Sequence, residues 1–567
     1  MMLRVLSFGA LALGVASAAC TGSVVGDGPG RGSSPTTGPD GTTGPTGTGS
    51  TSTLPAGTVG KVKLDGSPAY YRVLRLTNDQ WTNSVQSVLG LASAPTQGQA
   101  FQDAVSGVSD FTNNELALSA IDNRAWSDYE GAAEALAAQV TGDAAQLSKL
   151  YAGTDAAGFI AAVGRRIYRR PLTASETTAY QTLFDTGPTY SGSQSAFAKG
   201  ASVVLEAMLQ SPYFLYRTEL GAVGAPLTGY EMAAKLSLWL RNTTPDDALL
   251  DAAAGSGQLD TATGAAATAQ KMLEEPAARV VMRTFHGEFL HFSKFADLTK
   301  VGVASYNPAI NAELQESSYL FFDKIFSQGL GVKDIFQSTT GFVGPNMATL
   351  YGGGVTAPAS GYAESALGAH RVGFFTQLPF LLLYAHNGDT DMIHRGVSLA
   401  LDVLCAPLGP PAATIPPLPA LVKGQTNRQR VDAHTMGCGT TCHNNLINPL
   451  GATLENFDGM GQYREQEMNQ GDALTIDSGG SFDFIDGTKT YKNGEEFMNV
   501  MATDQQTHLC YSKKLASFAL QRDIVAADMT LLAELQSVSS SSGGSVKKVM
   551  LDLVKQDAFR TRSGGAQ

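Results

Sequence analysis

Charge is scarce in this chain. Only 16% of its 567 residues are Asp, Glu, Lys or Arg, against about 25% in an ordinary soluble domain. Basic residues are the scarcer kind: 39 Lys and Arg against 51 Asp and Glu give a net charge of −12. That balance excludes the basic surface of a nucleic-acid binder. Cysteine is scarcer still, with five in the chain. Five exclude a disulfide-dense miniprotein, so each must be placed individually. Long alternating strands are few. No Gly-x-Ser-x-Gly nucleophile elbow and no Gly-x-x-x-x-Gly-Lys phosphate loop occurs, which lowers the expectation of a hydrolase. The sequence names no catalytic set.

What the chain does hold begins with an address. Arg4 is the sole charge before Cys20, and an apolar run from Val5 to Val15 follows it. The run is shorter than the ~20 residues of a spanning helix. Ala16-Ser17-Ala18-Ala19 then precedes Cys20. A basic start, an apolar stretch and small residues before a cleavage point make a secretory signal. The small residues resemble a bacterial lipobox, with Ser17 in place of the usual Leu and Cys20 as the lipidated residue. The expectation is an exported, membrane-anchored protein of the cell envelope. Plain secretion is the alternative. Residues 21–60, mostly Gly, Thr, Ser and Pro, read as a disordered stalk, because such a segment buries too little apolar surface to offset chain entropy.

Beyond the stalk the pattern is helical. Thr77 with Gln80, Thr173 with Glu176 and Thr228 with Glu231 form capping boxes. Helices are expected over 143–150, 156–168, 197–209, 270–290, 312–326, 496–500, 509–522 and 546–559. Gly480–Tyr491 alternates and reads as a small β-hairpin, and Ser537–Ser545 as a polar loop. The fold expected is mainly α, several helical domains in series. Their boundaries are residues 1–20 for the signal, 21–60 for the linker, 61–160 and 161–225 for helical segments, 226–365 for a central helical domain, 366–470 for a cytochrome-c-like domain and 471–567 for a C-terminal helical domain.

The densest chemistry is Cys438-Gly439-Thr440-Thr441-Cys442-His443. It is one residue longer than Cys-x-x-Cys-His, the c-type haem attachment pattern, in which two thiols hold the haem and the His ligates iron. A Cys438–Cys442 disulfide is the alternative, leaving Cys405 and Cys510 as a second pair; zinc with His434 is a third reading. Met460, Met498, Met501, His508, His434 and Met436 are the candidates for a distal ligand. His286 and His291 are five residues apart, which sets them about 140° apart on a helix and argues against a zinc pair. Asp477, Asp483 and Asp486 do not match a calcium loop and read as turn carboxylates. Arg165, Arg166, Arg169 and Arg170 lie at a helix end, where cations suit the dipole. Asn448-Pro449 reads as a turn, and Glu455 and Asp458 as ion-pair partners of Arg464.

Several blocks together resemble a known family. They are Leu74–Trp81, Arg165–Thr173, Ser211–Arg217, Leu236–Leu240 with Pro245-Asp246-Asp247, Arg371–Phe374, His394-Arg395-Gly396, Cys442–Arg464, and Cys510 with Phe518–Arg522. In this order they resemble the planctomycete-cytochrome domain array, a string of domains of unknown function in exported bacterial proteins with one cytochrome-c-like member. The resemblance covers most of residues 70–560 and implies haem c at Cys438, Cys442 and His443. This chain departs from the pattern by its extra residue there, and by Gln521 where a Gly is usual. The function expected is electron transfer, or oxidation of an extracellular substrate, with a possible redox partner protein. The alternative is a haem-free, disulfide-stapled protein that binds an extracellular polymer or partner.

Overall fold

Helix starts follow from side-chain capping. All three expected boxes form: Thr77, Thr173 and Thr228 each accept from the third backbone N–H of their helices, and Gln80, Glu176 and Glu231 reach back. Asp143, Asp155, Ser195 and Asp246 cap four more. The computed structural model describes residues 54–562, apart from 56–57, 59, 66–72, 103–109, 115–122, 256, 353, 410–415 and 439–441. Cys20, the signal and residues 21–53 of the stalk lie outside the described residues, as does the side chain of Cys438. The described chain is mainly helical, with small two-stranded antiparallel pairs.

Two large apolar cores organise it, with a small cluster of Met392, Val431 and Ala452 apart from them. The first gathers Trp81, Leu136, Phe159, Val204 and Phe214, from helices between Asn78 and Leu215, with Leu238 reaching in from a later helix. The pair Val73–Arg75 with Tyr216–Thr218 joins the two ends of that segment. The second core runs from Val62 to Phe559. Chain order is not packing order: helix Val546–Lys555 lies against helix Ala262–Met272, nearly three hundred residues earlier. The larger core is therefore shared along the chain.

Where the structure departs from the periodicity, the reason is local. The single helix expected over 270–290 is two, Ala262–Met272 and Pro276–Phe289. Pro276 has no N–H to donate, so it opens a helix and cannot continue one. The last helix breaks at Gln556, whose backbone is extended, and Phe559 enters the core beside Trp239. The Ser-rich loop begins later than expected, because helix Met529–Ser540 continues until Ser539 has reached the buried His508 ring. The hairpin at 480–491 forms with Phe484 opposite Gly487 and a two-residue loop. Three other strand pairs escape pattern reading, since three or four residues carry too little alternation.

The four clustered arginines are all taken up internally. Arg165 pairs with Asp251, Arg166 with Asp247 and Arg170 with Glu176. Arg169 donates to the carbonyls of Tyr213, Phe214 and Tyr216. His286 and His291 serve different partners. His286 is buried, stacked on Phe322, with Nδ1 at 2.8 Å from the Met282 carbonyl and Nε2 at 2.9 Å from the Tyr511 hydroxyl. His291 sits beside Asp402. Cys405 and Cys510 form a disulfide, with both residues buried.

Two expectations follow. The Cys405–Cys510 bond closes a loop with a sequence separation of 105. Replacing both by Ala is expected to cost about 2–5 kcal/mol, read from urea unfolding without reductant; an unchanged midpoint would contradict it. Burial pushes His286 down to about 3. From the ordinary histidine value of about 6.5 down to about 3, only the unfolded chain takes up this proton, so stability is lost as pH falls through that window, by at most ~1.4 kcal/mol per pH unit. For His286→Gln, the stability gap to the parent is expected to narrow by about 2 kcal/mol between pH 7 and pH 5.

Candidate functional site

His394-Arg395-Gly396 lies on helix Met392–Ser398, and its three residues do three separate jobs. His394 sits beside Asp391, which caps the helix by accepting from the His394 N–H at 3.0 Å. Arg395 is fully buried, and its guanidinium donates to five backbone carbonyls. These are Tyr384 at 3.0 Å, Leu381 at 3.3 Å, Leu454 and Phe457 at 2.9 Å, and Asp458 at 3.2 Å. A guanidinium has five N–H groups, so its donor capacity is filled. Gly396 lets two backbones touch: a Cβ there would stand 2.1 Å from the Ile447 carbonyl. At Gly451 a Cβ would stand 1.9 Å from the Met392 carbonyl. The two glycines thus bring the helix against the segment that follows Cys442.

That segment winds as a π-helix over His443–Ile447 and runs directly into helix Asn448–Ala452. The turn expected at Asn448-Pro449 is absent. Pro449 sits in the first helical turn, where its missing N–H costs nothing. Asn448 does other work. Its Nδ2 donates to Asp432 Oδ1 and to Thr435 Oγ1, each at 2.9 Å. Thr435 spends its own proton on the Val431 carbonyl, so it must accept from Asn448. With Nδ2 facing two acceptors, the amide orientation is fixed. Oδ1 of Asn448 then lies 3.2 Å from His443 Nδ1. An amide oxygen only accepts, so a neutral His443 carries its proton on Nδ1 and leaves a lone pair on Nε2 that no described residue meets. Beside it, Cys442 is a free, half-buried thiol.

A buried polar layer backs this arrangement. Glu455 accepts from Thr390 Oγ1 at 2.9 Å and from Asn427 Nδ2 at 2.8 Å. Asn427 Oδ1 is held by Arg430, and the Asn427 N–H meets both oxygens of Glu467. Burial pushes the Glu455 carboxyl up, against the opposing pull of Arg395. The ion pairs expected with Arg464 do not form. Glu455 has Arg395 at 4.0 Å instead. Asp458 caps the loop N–H groups of Met460 and Gln462 at 2.8 Å. Arg464 is joined through its backbone to Asn456.

Next to the π-helix opens a cavity of about 820 Å³, lined by Lys61, Arg428, Met436, Asn445, Leu446 and Phe482 among others. Its charges are paired within the protein: Lys61 with Asp483, and Arg428 with Asp432 and Asp477. The sulfurs and rings named as distal candidates separate here. Met460, Met498 and Met501 are buried core residues. His508 uses both ring nitrogens, on Ser539 and on the Ala502 carbonyl. His434 lies at 3.2 Å from the Pro416 carbonyl. Met436 is exposed and lines the cavity. Asp477, Asp483 and Asp486 face Arg428, Lys61 and Lys489.

Five family models match in series. Each is described as a protein of unknown function: DUF1587 over residues 74–142, DUF1595 over 155–219, DUF1592 over 227–352, DUF1588 over 371–467 and DUF1585 over 487–559. The chain belongs to the planctomycete-cytochrome domain array. No curated protein and no solved structure matches it. Within the array, the DUF1588 segment holds Arg371, the Arg395 clamp, Cys442-His443 and Glu455. Sequence reading found the cysteine and histidine of this segment but took Asn448 for a turn former. Its signal was an Asn five residues after the His, a spacing that one π-helical turn brings together.

The array member's histidine can be checked without any ligand. In ¹⁵N-histidine-labelled protein, His443 is expected as the Nδ1–H tautomer at neutral pH. Asn448→Leu is expected to move it toward Nε2–H; an unshifted ring would refute the clamp.

Proposed function

We propose that the chain is an exported, lipid-anchored, cytochrome-c-like protein that carries one covalent haem at Cys438, Cys442 and His443. The observation that carries this reading is His443 Nδ1 held by Asn448 Oδ1 beside a free Cys442 thiol, which leaves Nε2 without a partner among the described residues. Histidines that ligate metals usually donate their other ring N–H to a fixed acceptor, which sets the tautomer and the ring orientation. Of the proposed set, His443 and Cys442 have described side chains, and both suit the group. Bound there, a haem supplies one-electron redox chemistry. The protein's part is to hold the ring, to offer the thiol and to keep the segment rigid through Gly396, Gly451 and Arg395. Electron transfer to a partner protein, or oxidation of an extracellular substrate, is the activity this supports. Cys20 is the proposed lipid site, on the strength of the lipobox-like residues before it.

A second reading, a haem-free and disulfide-stapled binding protein, draws on the buried Cys405–Cys510 bond and the charge-paired cleft. One experiment separates the two. Co-expressed with haem-maturation machinery, the exported protein is expected to show a Soret band and a haem stain that survives denaturation. Cys442→Ala is expected to lose most of that stain. A correctly folded parent without a Soret band would overturn the first reading and leave the second.

A further inference from the structure

Lys489 meets two carboxylates at once. It lies on strand Gly487–Tyr491 of the 480–491 hairpin, and Asp486 stands in the turn before that strand. Asp504 caps the N-terminus of helix Gln505–Leu520. Nζ of Lys489 donates to Asp504 Oδ2 at 2.6 Å and to Asp486 Oδ2 at 2.9 Å. Among the described residues no other lysine is paired with two carboxylates. The Asp504 side chain is fully buried, and the half-buried lysine reaches it over the ring of Phe484. Gln506 ties the two elements together, because its Oε1 accepts from the Ile485 N–H of the turn at 3.1 Å.

The other oxygen of Asp504 is held as well. Oδ1 accepts from the backbone N–H groups of Gln506 at 2.8 Å and Thr507 at 3.3 Å. Two N–H groups aimed at one carboxyl oxygen are the parts of an oxyanion hole. Burial pushes the Asp504 carboxyl up, and the Asp486 charge adds to that push. Burial pulls the Lys489 ammonium down, but its two carboxylate partners outweigh the pull and hold it above the ordinary lysine value. The resting cluster is therefore an ammonium between two carboxyl groups. Burying such charge is costly, and a neutral amide in the same place avoids the cost.

We propose that Lys489 and Asp504 close an intramolecular amide, with Asp486 carrying the proton. The ammonium first hands one proton to Asp504 Oδ2, which leaves a free amine beside a carboxylic acid. The amine lone pair attacks Asp504 Cγ and forms the new N–C bond. Negative charge gathers on Oδ1, where the Gln506 and Thr507 N–H groups receive it. Asp486 takes a proton from the nitrogen and passes it to the Oδ2 hydroxyl. The Cγ–Oδ2 bond then breaks, one water leaves, and Asp486 ends as it began. No oxidant or cofactor enters the balance. Contact within the folded chain makes the condensation unimolecular. The product keeps both anchors, since the amide oxygen still caps the helix and the amide N–H still faces Asp486.

The hairpin forms part of the wall of the large cavity through Phe482, Asp483 and Thr488, and the helix carries Cys510. The amide thus ties that wall to the helix the disulfide holds, by a bond that no thiol opens. It stands independently of any haem.

A tryptic digest of the reduced and alkylated full chain tests the bond. Trypsin does not cut at an acylated lysine, so residues 465–492 are expected as one piece, joined to residues 493–513. The joined species is expected to be one water lighter than its two peptides together, with fragment ions that place the link on Lys489 and Asp504. Separate peptides 465–489 and 493–513 from the parent would overturn the proposal. So would a water loss confined to 465–492, which marks a bond within the turn. Asp486→Asn, with its fold checked by circular dichroism, is expected to leave the peptides separate; a joined species there would refute Asp486 as the proton carrier.

Discussion

One guanidinium sets the geometry of the Cys442–His443 region. Arg395 binds five carbonyls drawn from two stretches of chain, 381–384 and 454–458. Neither stretch could be buried in this form alone, because its carbonyls would lack donors. The arginine supplies them from inside the core. Burial lowers its pKa only to about 10, so it stays charged near neutrality. Glu455, its nearest carboxylate at 4.0 Å, balances it from a distance. Gly396, the next residue, then allows the contact with Ile447 that sets the π-helix in place. The imidazole, the thiol and the neighbouring cavity all follow from that placement.

The same device recurs in the chain. Arg169 holds the carbonyls of Tyr213, Phe214 and Tyr216, and Arg371 holds those of Thr376 and Gly461. Arg371 is also stacked between Tyr351 and Phe457. A planar, weakly hydrated cation suits such sites, since it fills several acceptors and tolerates aromatic faces. This explains how a charge-poor chain uses its few basic residues. Much of that charge is internal mortar for loops, which a count of surface charge would not reveal.

Helix starts were legible in the sequence because capping is local: Thr77, Thr173 and Thr228 act within three residues. The 480–491 hairpin was legible through its alternation, and Cys442-His443 through its composition. Asn448 was not legible, because its role depends on Asp432 and Thr435, sixteen and thirteen residues earlier, and on a π-turn that no periodicity announces. Arg395 was quoted as part of a block, yet its five acceptors exist only once the loops are folded. The pairing assigned to Arg464 failed for a related reason: a nearby opposite charge in sequence loses to a buried amide and hydroxyl that Glu455 meets in space.

The buried cystine carries a consequence about timing. Cys405 and Cys510 are both shut away from solvent, while Cys442 lies between them in sequence with a free thiol. Thiol–disulfide exchange needs a thiolate to reach a sulfur. Once the second core closes, Cys442 has no route to either partner. The chain therefore sorts its sulfurs on the way to the folded state, and afterwards a wall of packed side chains keeps the sorting permanent. What keeps Cys442 apart from the cystine is the order of events during folding, preserved by the core as a record that cannot be rewritten without unfolding it.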